Sequence, residues 1–248
     1  MIGGEDESLL ARKLASVAAL TGEELEAIRK LPLTVREIPV RQDIVRLGDR
    51  PTHCCLVMAG LAFRYKVLGD GRRQILNFHV PGDIPDLQSL HLTTHDHNFA
   101  ALTPLTIGFI PHAAVHQLNA RFPRVAGALW RDTLIDAALL RERIVSIGQR
   151  DGLSRTAHFL CEMFVRLQVV GLADAGSMLL PITQNEIADA LGMSFVHVNR
   201  MIKELRERGL INVERQMVVL VAWESLKVLA DFDPVYLHLA PGDRPTRT

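Results

Sequence analysis

The stretch that most constrains this chain runs from Thr183 to Arg208, TQNEIADALGMSFVHVNRMIKELRER. Its pattern predicts two short helices joined by a tight turn. Ile187, Ala188 and Leu191 fall on one face of the first helix. Met193, Val198, Met201, Ile202 and Leu205 fall on the facing side of the second. Ala188 is small where the helices would cross, and Gly192 tolerates the left-handed backbone of a sharp turn. Thr183 with Glu186 three residues on makes a capping box, and Ser194 is a favourable N-cap for the second helix. Two fixed helix starts fix the angle between the helices, which is the requirement of a helix-turn-helix.

In that motif the N-terminal part of the second helix enters the DNA major groove. The recognition helix is expected over 194–208. Thr183, Gln184, Ser194, Phe195, Val196, His197, Asn199, Arg200 and Lys203 are its candidate DNA-binding residues. Arg pairs bidentately with guanine and Asn with adenine, while Val196 and Phe195 suit a thymine methyl. Lys203, Arg206 and Arg208 lie further along and suit phosphates. The bland alternative is a helical hairpin with a solvated charged face. The capping residues, the turn glycine, the basic second helix and the strands read after it favour DNA.

The rest of the chain has two textures. From about Val35 to Pro111 short β-branched runs alternate with turn residues, and Asp70-Gly71 is a hairpin signal. An antiparallel roll or barrel is expected there. Thr21-Gly22-Glu23-Glu24 opens a short helix before it. Phe122 to about Gln149 has few breakers and apolar residues at helical spacing, more than a small roll can cover. Pairing with a second copy would bury them. Asp151-Gly152 marks a junction, Leu153–Val170 reads as an amphipathic helix, and Gly171–Gly176 as a loop. Gly209 ends the recognition helix. Leu210–Val221 reads as two strands turning near Arg215-Gln216, and Trp223–Phe232 as a final helix. MIGGEDES and PGDRPTRT read as polar ends.

The whole pattern resembles the Crp/Fnr family of bacterial transcription regulators. RLGDRPTHCCLVMAGLAFRY is similar to its glycine-punctuated β-roll segment, FHVPGDIPDL to its PGD segment, and TQNEIADALGMSFVHVNRMIKELRERGLI to its DNA-binding signature. The resemblance implies an α+β fold. An N-terminal antiparallel β-roll, a cyclic-nucleotide-binding-like jelly roll, precedes a long dimerisation helix and a C-terminal winged helix-turn-helix. The expected division is 1–121, 122–150 and 151–248. It further implies a homodimer on a pseudo-palindromic double-stranded DNA site, RNA polymerase as a partner, and no enzymatic activity. Arg200 matches the family's base-reading arginine. Val196 stands near where many members carry a glutamate, so a different half-site is expected.

Cyclic-nucleotide-binding members carry a Gly-Glu pair after PGD for the ribose and an Arg-Ser pair for the cyclic phosphate. Here Leu87 stands in place of the Glu, and Asn98 and Phe99 in place of the Arg and Ser. These three mark the expected effector pocket. Without the Arg, a buried phosphate lacks its counter-charge, so control by cAMP is not expected. The effector itself is left unassigned. Three cysteines, Cys54, Cys55 and Cys161, do not supply a four-cysteine iron–sulfur site. No cofactor is expected.

The reading from a different class uses His91, His95 and His97, with His79 upstream. A His-x-His segment on a roll suits a metal or haem sensor, or a cupin-like metalloenzyme. The carboxylate such enzymes place shortly after His-x-His is missing from Asn98 to Leu102. Cys161 reads as a buried small hydrophobe. Cys54 and Cys55, adjacent on a strand, would face inward and outward in turn. With 28 basic and 28 acidic residues the net charge is +0, which leaves site-specific DNA binding open and disfavours nonspecific coating. No signal peptide or membrane span is read, and a reducing cytoplasm fits the cysteine usage.

Overall fold

The computed structural model describes residues 8–239, so most of MIGGEDES and all of PGDRPTRT lie outside the described residues. The chain divides into two compact units. The first comprises 1–64 and 78–135, and the second 65–77 and 136–248.

In the first unit, two short helices lead: α1, Leu9–Ala15, and α2, Gly22–Arg29. Thr21 caps α2 in a complete capping box with Glu24. The roll is built from β1 (Thr34–Ile38), β2 (Asp43–Val45), β3 (His53–Ala59), β4 (Ala62–Val67), β5 (Arg73–His79), β6 (Asn98–Ala101) and β7 (Leu105–Pro111). One sheet has the order β1-β7-β3 and the other β2-β6-β4-β5. The pairings of β7 with β1 and β3 are antiparallel. The β4–β5 connection turns at Asp70-Gly71, with Gly71 at φ 84°.

Two cores lie on the two faces of the three-stranded sheet. Cys55, Val57, Phe99, Leu105 and Ile107 fill the roll interior. Cys54, Leu56 and Ile110 meet α1, α2 and the helices that follow. Those helices are α3, His112–Arg121, and the long α4, Pro123–Gln149. Strand alternation does turn Cys54 and Cys55 to opposite faces, but the expected outward cysteine is not exposed. Cys54 is 0% and Cys55 2% accessible, because α1 to α4 cover the outer face. The helices α1 and α3 were not read from the sequence.

The second unit carries α5, Gly152–Val169, capped by Asp151, whose carboxylate accepts from Leu153 and Ser154 N–H. The stretch read as a loop holds β8, Ala173–Asp174, which pairs with β9, Ser177–Leu179. Next come α6 (Gln184–Leu191), α7 (Phe195–Glu207), β10 (Ile211–Glu214), β11 (Met217–Leu220) and α8 (Trp223–Ala230). The order β10-β11-β9-β8 makes the wing a four-stranded sheet rather than a lone hairpin. The final helix stops at Ala230, because Asp231 takes a left-handed conformation at φ 48°.

A buried polar network ties this unit together. Glu162 Oε1 accepts from Arg143 Nη2 at 3.0 Å and lies 3.7 Å from Arg166 Nη1. Tyr236 donates to Glu162 Oε2 at 3.0 Å. Arg166 also donates to Asn77 Oδ1 at 3.0 Å, and Asn77 Nδ2 donates to Asp136 Oδ1. The two arginines hold the Glu162 carboxyl below its usual range against the opposing effect of burial.

Candidate nucleic-acid interface

The helix-turn-helix forms as its capping residues dictate. Thr183 Oγ1 accepts from Glu186 N–H, and the Glu186 carboxylate returns to Thr183 N–H at 2.7 Å. Gly192 sits at φ 64° and ψ 37°, the left-handed turn that an L side chain resists. Ser194 Oγ then accepts from His197 N–H at 3.2 Å and starts α7. Ile187, Ala188 and Leu191 of α6 and Val198, Met201 and Leu205 of α7 are buried. Ile202 and Met193 are half-buried.

Burial of that face leaves the other open. Phe195 is 48% and Val196 74% exposed, two adjacent apolar side chains on the open side of α7. Asn199, Arg200 and Lys203 are also exposed. Among the described residues Arg200 makes no hydrogen bond or ion pair. Lys203 lies 3.6 Å from Glu207, and Arg208 pairs with Glu204. Both are exposed helical pairs of small energetic weight, easily exchanged for phosphate. Lys203 and Arg206 also border a polar groove with Ile211 and Asn212 beside the wing.

Two expected residues behave differently from the rest. His197 is half-buried and turned toward α5. A methyl group placed on Gly152 would lie 2.5 Å from His197 Nε2, so glycine at 152 permits a close approach as well as a helix start. His197 is therefore a packing residue rather than part of the open face. Gln184 is joined to the recognition helix, because Asn199 Nδ2 donates to its Oε1 at 2.9 Å.

The turn has supports that sequence reading missed. Arg155 on α5 donates to the carbonyls of Leu191 at 2.9 Å, Ile147 at 2.9 Å and Arg150 at 2.8 Å. Arg73 of the β4–β5 hairpin pairs with Asp189 on α6 at 2.7 Å, and Gln74 donates to Ala190 O at 3.2 Å. No local spacing marks these residues, since the bonds to α6 span 36 residues from Arg155 and 116 from Arg73 and Gln74.

The expected effector residues do not converge. Leu87 belongs to the helix-covered core and lines a cavity of ≈ 240 Å³ with Leu90, Asn119, Leu129 and Trp130. Phe99 fills the roll interior, on the other side of the sheet. Asn98 accepts Leu47 N–H at 3.1 Å and so closes a loop.

The histidines also separate. His95 and His97 are buried with ring centroids 6.0 Å apart, whereas the exposed His91 faces His116. Burial lowers the His97 pKa, although its hydrogen bond to Asp96 opposes the shift. Among the described residues no three of His, Cys, Asp or Glu gather as a metal site. The cupin-like and multi-ligand metal readings thus have no converging donor set among those residues. The thiols are held protonated by burial. Cys54 is pushed up to about 12, and Cys55 and Cys161 are raised as well. Such thiols are poor nucleophiles, which argues against a redox switch.

Comparison with known proteins fits this geometry. A model of the cyclic nucleotide-binding domain matches residues 35–122, and one of the Crp-like helix-turn-helix domain matches 154–229. The chain is 25% identical to the nitrogen fixation regulation protein FixK of Rhizobium meliloti, over 77% of this chain and 84% of that one. It is 22% identical to electron transport regulator A of Shewanella oneidensis, over 85% and 84%. Among solved structures, FixK2 from Bradyrhizobium japonicum superimposes with a TM-score of 0.74 at 27% identity, covering 80% of this chain and 98% of that one.

Proposed function

Because this chain belongs to the Crp/Fnr family of transcription regulators, a family of DNA-binding proteins rather than enzymes, we propose how it reads DNA and in what assembly. The open face of α7 is the reading surface. Val196, Asn199 and Arg200 meet base edges, with Phe195 at the entry of the groove. Thr183, Gln184, Ser194 and Lys203 set the register, with Lys203 on phosphate. The observation that carries this reading is the exposed, unpaired Arg200 beside exposed Val196 on a helix whose opposite face is buried.

The chain works as a homodimer paired along α4. Trp130, Leu134, Ile144, Val145 and Ile147 leave large apolar surface on that helix, with Trp130 61% and Ile144 71% exposed. Two reading helices about one DNA turn apart then match a pseudo-palindrome. Functionally the chain divides at 1–121, 122–150 and 151–248, as roll, pairing helix and reader. The roll acts without cAMP, because Leu87, Asn98 and Phe99 offer no counter-charge to a cyclic phosphate. The protein acts in the cytoplasm with RNA polymerase as its downstream partner. Among the described residues no helix is long and apolar enough to cross a membrane.

Selection of bound sequences from random double-stranded DNA, followed by sedimentation of the protein on the winning site, tests this proposal. A palindrome with half-sites one turn apart, bound by two copies, is expected. A monomer bound to a single asymmetric site would overturn the pairing, and the absence of any enriched sequence would overturn base reading.

A further inference from the structure

Asn199 is tethered to the helix that precedes it. Its Nδ2 donates to Oε1 of Gln184, the first residue of α6, across 2.9 Å. The bond spans the turn and joins the two helices of the motif on their exposed side. We infer that Gln184 is a positioning residue for base reading, which holds the Asn199 amide so that the pair reads adenine as one unit. The inference rests on the assignment of α7 as the recognition helix.

A primary amide has two N–H donors and one carbonyl acceptor. Bidentate adenine recognition needs one N–H, for N7, and the carbonyl, for the N6 amino group. The bond to Gln184 occupies one N–H, which leaves a second N–H and the carbonyl for adenine. A lone asparagine on an exposed helix has a broad terminal torsion and must be ordered when it meets a base. The bond to Gln184 supplies that order before DNA arrives. Neither side chain makes a further hydrogen bond among the described residues, so each is the other's sole anchor.

The test compares the full-length protein with Gln184→Ala, Asn199→Ala and the double variant. Each is run through selection from random DNA, then titrated against the selected site and its single-base variants. The natural protein should prefer adenine at one position per half-site, and Asn199→Ala should reduce that preference at least about fivefold. Gln184→Ala should weaken the same preference at the same position. It should leave the preference at the base opposite Arg200 unchanged. The double variant should be no worse than Asn199→Ala alone, the signature of coupled residues.

A uniform loss of affinity on all sequences in Gln184→Ala would make Gln184 a phosphate contact and overturn the proposal. So would additive losses in the double variant, or an adenine preference that survives Gln184→Ala intact. Enrichment of no sequence by the natural protein would instead remove the underlying assignment of α7. Thermal unfolding of each variant separates these outcomes from a folding defect, since both residues lie on the surface side of the motif.

Discussion

The roll and the recognition helix treat their polar side chains in opposite ways. In the roll, Arg64, Asp86, His95 and His97 are buried. Arg64 Nη1 donates to Pro85 O at 3.1 Å, and Asp86 Oδ1 accepts Cys55 N–H at 2.7 Å. Burial raises the Asp86 pKa even so. On α7 Asn199, Arg200 and Lys203 stand in solvent, and Arg200 has no partner among the described residues. Inward polar groups determine whether the fold stands, and outward ones determine what it touches.

If this contrast is right, buried and exposed polar residues should fail in different assays. The largest effect is expected from Glu162→Leu, which strands Arg143 and Arg166 without a counter-charge in the interior. A loss of about 3–5 kcal/mol in unfolding free energy is expected from denaturant titration. A loss below about 1 kcal/mol would mean that the network is solvated and that the contrast is false.

The next effect depends on pH. His158 is buried against the Phe232 ring and stacked on Tyr236, with Glu142 and Arg143 from α4, Arg150 just after it and Glu162 on its own helix around it. Burial lowers its pKa from 6.5 to about 4. The unfolded chain therefore binds a proton that the native state refuses. This share of the stability is present above pH 6.5 and is lost as pH falls toward 4. Melting temperatures across that window should fall more steeply for the natural protein than for His158→Phe. Equal slopes would show that His158 titrates normally.

Arg200→Ala comes third, with about 1–3 kcal/mol lost on the specific site and little change in melting temperature. An equal loss on random DNA would reduce Arg200 to a phosphate contact. Lys203→Ala should be mildest. It should lower affinity on every sequence alike and reduce the slope of log affinity against log salt by about 1. An unchanged slope would remove Lys203 from the interface.

Local chemistry explains which parts were legible in the sequence. Capping boxes at Thr21 and Thr183, the turn glycine at 192 and the hairpin at Asp70-Gly71 each act within a few residues, and each formed as expected. The apolar spacing of α4 was equally plain. What stayed hidden depends on distant partners. Cys54 is inaccessible because helices from elsewhere in the chain cover its face of β3. His197 falls on a polar position of its helix, yet α5 draws its ring over Gly152. The Asn199–Gln184 bond spans fifteen residues, and the Glu162 network joins segments far apart in sequence. Neither leaves a periodic trace. Helix α1 is too short for its periodicity to stand out, and β8 has only two residues.

The fork of Arg155 bears on how the reader could be isolated. A fragment cut at Asp151 would follow the proposed boundary and still contain every candidate DNA contact. It would also discard the carbonyls of Ile147 and Arg150, two of the three acceptors that hold this guanidinium. The remaining bond, to Leu191, would have to fix the residue before the turn by itself. A transplantable reader therefore starts upstream of Ile147, inside α4. The unit that recombination or engineering can move intact is larger than the unit that touches DNA.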